Sequence, residues 1–149
     1  ARRADAEGGT LIRHEVGECA AGRELGPAWE RMLGRLTRRR TELFVRAVRD
    51  HLADCLVTLP ALLDRDAAPS LHFWFANLQG PRQALFPRIA PAYARWRDGE
   101  GEAALRTAIG DGAAHWRRIA HAVVALDAQR AGEAEDAIET LAADPSTVL

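Results

Sequence analysis

A chain of 149 residues, 48% hydrophobic and 28% charged, has the composition of one soluble globular domain with room for an apolar core. Twenty basic residues against 21 acidic ones leave a net charge of −1, which excludes a domain held to nucleic acid by overall charge. Every basic residue is Arg, so P-loop and Schiff-base chemistry are excluded, and no apolar run is long enough to span a membrane.

The first element, residues 1–24, reads as an extended arm. Thr10-Leu11-Ile12-Arg13-His14-Glu15-Val16 carries β-branched residues with partial alternation, between Gly8-Gly9 and Gly17. A lone strand needs a partner, so the arm is a disordered linker, a strand paired with another chain, or the remnant of a sheet lost upstream. No leader pattern is visible here, and the absence of Met at residue 1 reads as a fragment or processed product. Residues 25–149 read as helical throughout. Apolar side chains from Trp29 through Leu36, Leu43, Val48, Leu52 and Leu59 repeat at steps of three and four, with Gly34 and residues 37–41 offering a break. Pro60 is expected to end or kink that helix. Asp64 to Pro69 is a connector, Ser70 a cap for a helix over Leu71–Leu78, and Gly80 its end. Pro81 starts the next segment, which Pro87 and Pro91 should kink or interrupt. A loop at Asp98–Gly101 leads into helix over Ala103–Ile109, a longer helix capped by Asp111, and a last one over Glu133–Ala143. The expected fold is all-α, a bundle of about six or seven helices.

Few residues offer chemistry. Neither Ser70 nor Ser146 lies in a nucleophile turn. Cys19 and Cys55 lack a C-x-x-C pairing and read as reduced thiols of a cytoplasmic protein. No zinc-protease or di-iron spacing links His14, His51, His72, His115 and His121, so no metal or cofactor is expected. His51 reads as a hydrogen-bonded core residue. His72 stands in the most apolar helix, where its imidazole must find partners, either backbone or the polar wall of a ligand cavity facing His121. Trp74, Phe75, Phe86, Tyr93 and Trp96 are expected to wall that cavity, opened by the nearby prolines. The arginines at 35, 38, 39, 40, 46 and 49 read first as a solvated helix face and second as a surface for an acidic ligand.

Leu71-His72-Phe73-Trp74-Phe75-Ala76-Asn77-Leu78-Gln79-Gly80-Pro81 resembles a motif of the ligand-binding (FadR/FCD-like) helical domain of GntR-type transcription regulators. Ile119–Leu126, followed by Ala131–Ala137, is similar to that family's late helices, and Arg40–Arg46 through His51 to an early one. The resemblance implies an effector-binding and dimerisation domain that would reach DNA only through a domain outside this chain, with the 1–24 arm in the place of a wing. Many members hold a metal with one Asp and three His. Here the Asp position before His72 is Ala68 and the last His falls near Ala143, which implies a metal-free member taking an apolar or acyl-type molecule. The expectation is thus a non-enzymatic homodimer, binding its effector at His72, Trp74, Phe75, Phe86, Tyr93, Trp96 and His121, away from membranes. The rival reading is a helical protein–protein interaction module without a small ligand.

Overall fold

A computed structural model describes residues 22–130 and 132–149. The extended arm expected over 1–24 lies outside the described residues except at 22–24, and these are helical. Residues 22–33 form α1, in which Gly26 takes φ +70 just ahead of Pro27. A positive φ of this kind is cheap only for a residue without a Cβ. The chain then runs through α2 (Arg39–Ala53), a π turn (Asp54–Thr58), α3 (Leu59–Asp64), α4 (Ala68–Ala76), α5 (Gly80–Leu85), α6 (Ile89–Arg97), α7 (Ala103–Gln129), α8 (Ala134–Ala143) and a 3-10 turn at Pro145–Thr147. Among the described residues there is no strand, and the fold is an all-α bundle. None of these helices is long and apolar enough to cross a membrane.

The long α7 is the axis. Its buried side, Leu105, Ala108, Ile109, Trp116, Ile119, Ala120 and Val123, receives α2, the π turn and α6, while α8 folds back along it. Trp29 and Met32 of α1 are also fully buried in this core. At the far end α8 is tied to the start of α2. Glu135 accepts from the Thr37 N–H (2.9 Å), the Thr37 hydroxyl (2.8 Å) and the Arg38 N–H (2.9 Å). Partial burial pushes the Glu135 carboxyl up, but these bonds outweigh it and hold the group below its usual value.

Several boundaries differ from the sequence expectation. Pro60 neither ends nor breaks its helix; the helical path runs from Arg39 to Asp64 with the π turn just upstream. A proline in a regular ladder clashes with the carbonyl four residues back, here Leu56, and leaves it without a donor. A wider turn at that point is one way to relieve both. Ser70 lies inside α4 rather than capping it, because Pro69 occupies the first turn where a missing N–H costs nothing. Gly80, at φ +59, opens α5 instead of closing α4. Pro87 falls between α5 and α6, giving two helices, while Pro91 sits harmlessly in the first turn of α6. Asp111 is interior to α7, which runs unbroken for 27 residues.

Two glycines of α7 test this packing. A Cβ on Gly112 would stand 2.7 Å from Cys55 Sγ and 2.8 Å from a ring carbon of Phe86, both in the core, so the helix meets the π turn there at backbone distance. On Gly110 it would meet nothing within 4 Å. Gly110→Ala should therefore stabilise by about 0.5–1 kcal/mol through helix propensity. Gly112→Ala should lose that gain to overpacking and destabilise by about 1–2 kcal/mol net. Urea unfolding of the two variants reads this directly, and equal effects would contradict the packing described.

Candidate functional site

Five of the seven residues expected to form a ligand pocket do come together, as an aromatic shelf between α4 and α6. His72 Nδ1 and the Tyr93 hydroxyl share a hydrogen bond of 2.6 Å. Tyr93 stacks on Phe75 with centroids 3.8 Å apart, and Trp96 closes on Tyr93 (5.9 Å) and on His72 (5.3 Å). Trp74 meets Phe75 edge-on at 4.8 Å and lies beneath the Arg82 guanidinium, 5.7 Å from its ring. The other two residues are elsewhere. Phe86 is in the core, edge-on to His51 and Trp116. His121 is exposed on α7 near Glu24, whose carboxyl is held low chiefly by the hydrogen bond from Arg117.

His72 is exposed too, so the two imidazoles do not face one chamber. The physical reason is the placement of α4. It is apolar on nearly every side and reads as central, yet only Leu71 and Trp74 of it are buried. Of its other rings, His72 and Phe75 pack against Tyr93 and Trp96 of α6 instead of enclosing space, while Phe73 is 54% exposed.

The π turn builds a polar centre that sequence reading missed. Asp54 is fully buried, and its Oδ2 accepts from Arg82 Nη2 of α5 at 2.5 Å. One turn earlier, His51 lies flat against Trp116, with centroids 4.8 Å apart, and its Nε2 is 2.9 Å from the Arg82 carbonyl. A carbonyl can only accept, so the proton is on Nε2 and the neutral ring leaves Nδ1 bare, buried without a hydrogen bond. Burial first, and the Arg82 charge second, push the His51 pKa down to about 4. The neighbouring Cys55 thiol is pushed up by burial and stays protonated, which removes it as a nucleophile. Asp54, His51 and Cys55 are buried, and only the Arg82 side chain reaches partly to solvent. Their work is to hold α5 against α2. The one visible signal was Asp54 itself, a charge within an apolar stripe a few residues ahead of Pro60.

On its other side α5 forms a wall. Pro81, Ala84 and Leu85 face Leu43 and Phe44 of α2, and Ile138, Ala142 and Ala143 of α8, across a groove of about 580 Å³. Arg39, Arg40, Thr41 and Glu139 complete its lining. That volume falls in the range of small-molecule sites, about 300–1,000 Å³. Leu43 is 39% exposed there, one of few large apolar side chains left to solvent. The groove is set by side chains from three helices far apart in sequence, so no local pattern announced it. Among the described residues no group of three or more His, Cys, Asp or Glu side chains is placed to hold a metal ion.

Residues 1–145 match the family described as "Family of unknown function (DUF6866) C-terminal domain". The chain belongs to this family. No curated protein and no solved structure matches it. The DUF6866 description names no activity, so a role for the domain has to be argued from its own geometry.

Proposed function

We propose that this DUF6866 C-terminal domain is an effector-binding module that takes a small apolar, acyl-type molecule in the groove between α2, α5 and α8. The observation that carries the reading is the groove itself: a concave, mainly apolar lining of ligand size that also includes a few polar and charged groups. The groove replaces the space beside His72 as the place for a guest. The wider setting, a cytoplasmic dimeric transcription regulator whose DNA-binding head lies outside this chain, is supported by the resemblance of 71–81 and 119–137 to FCD-like domains. In that setting occupancy would favour one packing of α5 and α8 against α2, and the shift would pass to the head.

The test is thermal melting with n-alkyl acids and alcohols of increasing length, repeated on Ala142→Trp, which places an indole in the groove. A guest at 100 times its Kd stabilises by about 2.7 kcal/mol, a rise of several degrees in Tm for a domain of this size. We expect that rise to grow with chain length, then stop when the groove is filled, and to be absent in the variant. Equal shifts in both proteins, or none in either, would remove the groove as the site.

A further inference from the structure

The groove's lining mixes apolar side chains with two arginines, and the arginines point to the chemistry of the guest. Leu85, Ile138, Ala142 and Ala143 line the apolar part, while Arg39 and Arg40 belong to the first turn of α2. Leu43 lies four residues after Arg39, and Phe44 four after Arg40, so each arginine shares a helix face with a groove side chain one turn away.

Among the described residues nothing neutralises either arginine, which is also true of Arg23, Arg31, Arg65 and Arg130, but those four lie outside this groove. Arg38 is paired with Asp136 at 2.5 Å, Arg46 with Glu42 at 2.8 Å, Arg95 with Glu100 at 2.7 Å and Arg106 with Asp64 at 2.9 Å, while Arg35 meets Asp127 and Arg117 meets Glu24. Arg39 and Arg40 have no ion pair and no hydrogen bond among the described residues. The lining does include one carboxylate, Glu139. It is already engaged from across the groove wall, accepting from the Thr41 hydroxyl of α2 at 2.9 Å and pairing with Arg38, just ahead of α2, at 3.6 Å.

We infer that the guest is an amphiphile with a single oxyanion head, carboxylate or equivalent, seated on Arg39 and Arg40 with its hydrocarbon tail running toward Leu85 and Ile138. Guanidinium forks match a planar or tetrahedral oxyanion geometrically, and two of them beside an apolar trough reject a neutral or cationic head on the same tail. This assignment rests on the groove being the binding site. A carboxylate here keeps its head at the exposed rim, so its charge need not be desolvated to bury the tail.

Calorimetric titration of the whole chain with decanoate, decan-1-ol and decylammonium tests it, alongside the variant Arg39→Gln/Arg40→Gln. Both arginines are exposed and unpaired, so the variant should fold; an unchanged Tm without ligand checks this. Decanoate is expected to bind at least tenfold more tightly than decanol, with decylammonium weakest. In the variant decanoate should fall to the level of decanol, and decanol itself should be unchanged. Equal binding of decanoate and decanol by the unaltered chain would overturn the head assignment while leaving the groove reading intact, and so would a preference that survives in the variant. Failure of all three to bind overturns both. Phosphatidylglycerol vesicles capturing the chain through Arg39 and Arg40, with no saturable uptake of decanoate, would overturn the inference in favour of a membrane surface.

Discussion

Asp54→Ala is expected to cost about 3–5 kcal/mol of stability, far more than an average substitution. The carboxylate is fully buried and lies 2.5 Å from Arg82 Nη2, whose side chain is 27% exposed. Two effects compete at such a pair. Removing a charge from the interior relieves a desolvation penalty, but removing only one partner leaves the other in a site built for its complement. The second effect wins here because Arg82 is also pinned by its backbone, its carbonyl accepting from His51, and by its seat over Trp74. To swing fully into water the guanidinium would have to leave its seat over Trp74. Arg82→Ala should cost about 3 kcal/mol by the same reasoning, since the buried Asp54 then loses its partner on α5. The double variant should cost less than the two singles combined, by about 1–3 kcal/mol, the mark of direct coupling. Urea unfolding of the four proteins closes the cycle. Strict additivity, or single losses below about 1 kcal/mol, would show that the pair does not hold α5.

Acidification should weaken the domain before its carboxylates titrate. In the unfolded chain His51 takes up a proton near its ordinary value of 6.5, whereas in the fold it is held at about 4. Between those values the unfolded state binds more protons, so stability is full above about pH 6.5 and is lost as pH falls toward 4. The full difference amounts to about 3 kcal/mol, of which about 2 kcal/mol is gone by pH 5. His115, lowered by burial despite its Nε2 hydrogen bond to the Thr147 carbonyl, adds in the same direction. The carboxyls of Glu24, Glu135 and Asp144 are held low, so they also favour the fold at neutral pH, but their share is lost only lower, below about pH 4.5. Comparing unfolding at pH 7.5 and pH 5 in His51→Gln, which keeps a donor for the Arg82 carbonyl without titrating, isolates the residue. The variant should lose about 2 kcal/mol less between the two pH values than the parent. An unchanged loss would mean that His51 is not buried neutral.

Much of the architecture was legible because local signals decide it. Steps of three and four in apolar residues located α2 and marked 103–126 as helical, though as two helices rather than the single α7. Gly34 and the polar residues after it separated α1 from α2, and Pro87 divided α5 from α6. His51 was readable as a core histidine. The site was less legible, for two physical reasons. An apolar helix can be buried by its neighbours or can stack its own aromatics at the edge, and sequence does not distinguish these; α4 took the second course. The groove depends on how α5 and α8 are seated on α2, which is decided by Arg82 reaching Asp54 and by Glu135 reaching Thr37, pairs separated by 28 and 98 positions. Contacts at that range leave no periodic trace. Asp54 shows the same limit from the other side. Its charge was visible, but the wide turn that carries it inward comes from the crowding around Pro60 together with the need to face Arg82.

The short helix α5 is a partition with different tenants on its two sides. Its Pro81, Ala84 and Leu85 bound the trough, Arg82 engages the sealed charge behind it, and its last carbonyl, that of Leu85, accepts from the Leu149 N–H at 3.0 Å. A partition fastened from behind cannot yield to whatever presses on its front. If the groove takes a guest as proposed, a slim unbranched chain would enter without disturbing the interior, whereas a ring or branched skeleton would push the wall outward and strain the guanidinium against its carboxylate. The gauge of admissible guests would then be fixed out of their reach, behind the wall rather than in it.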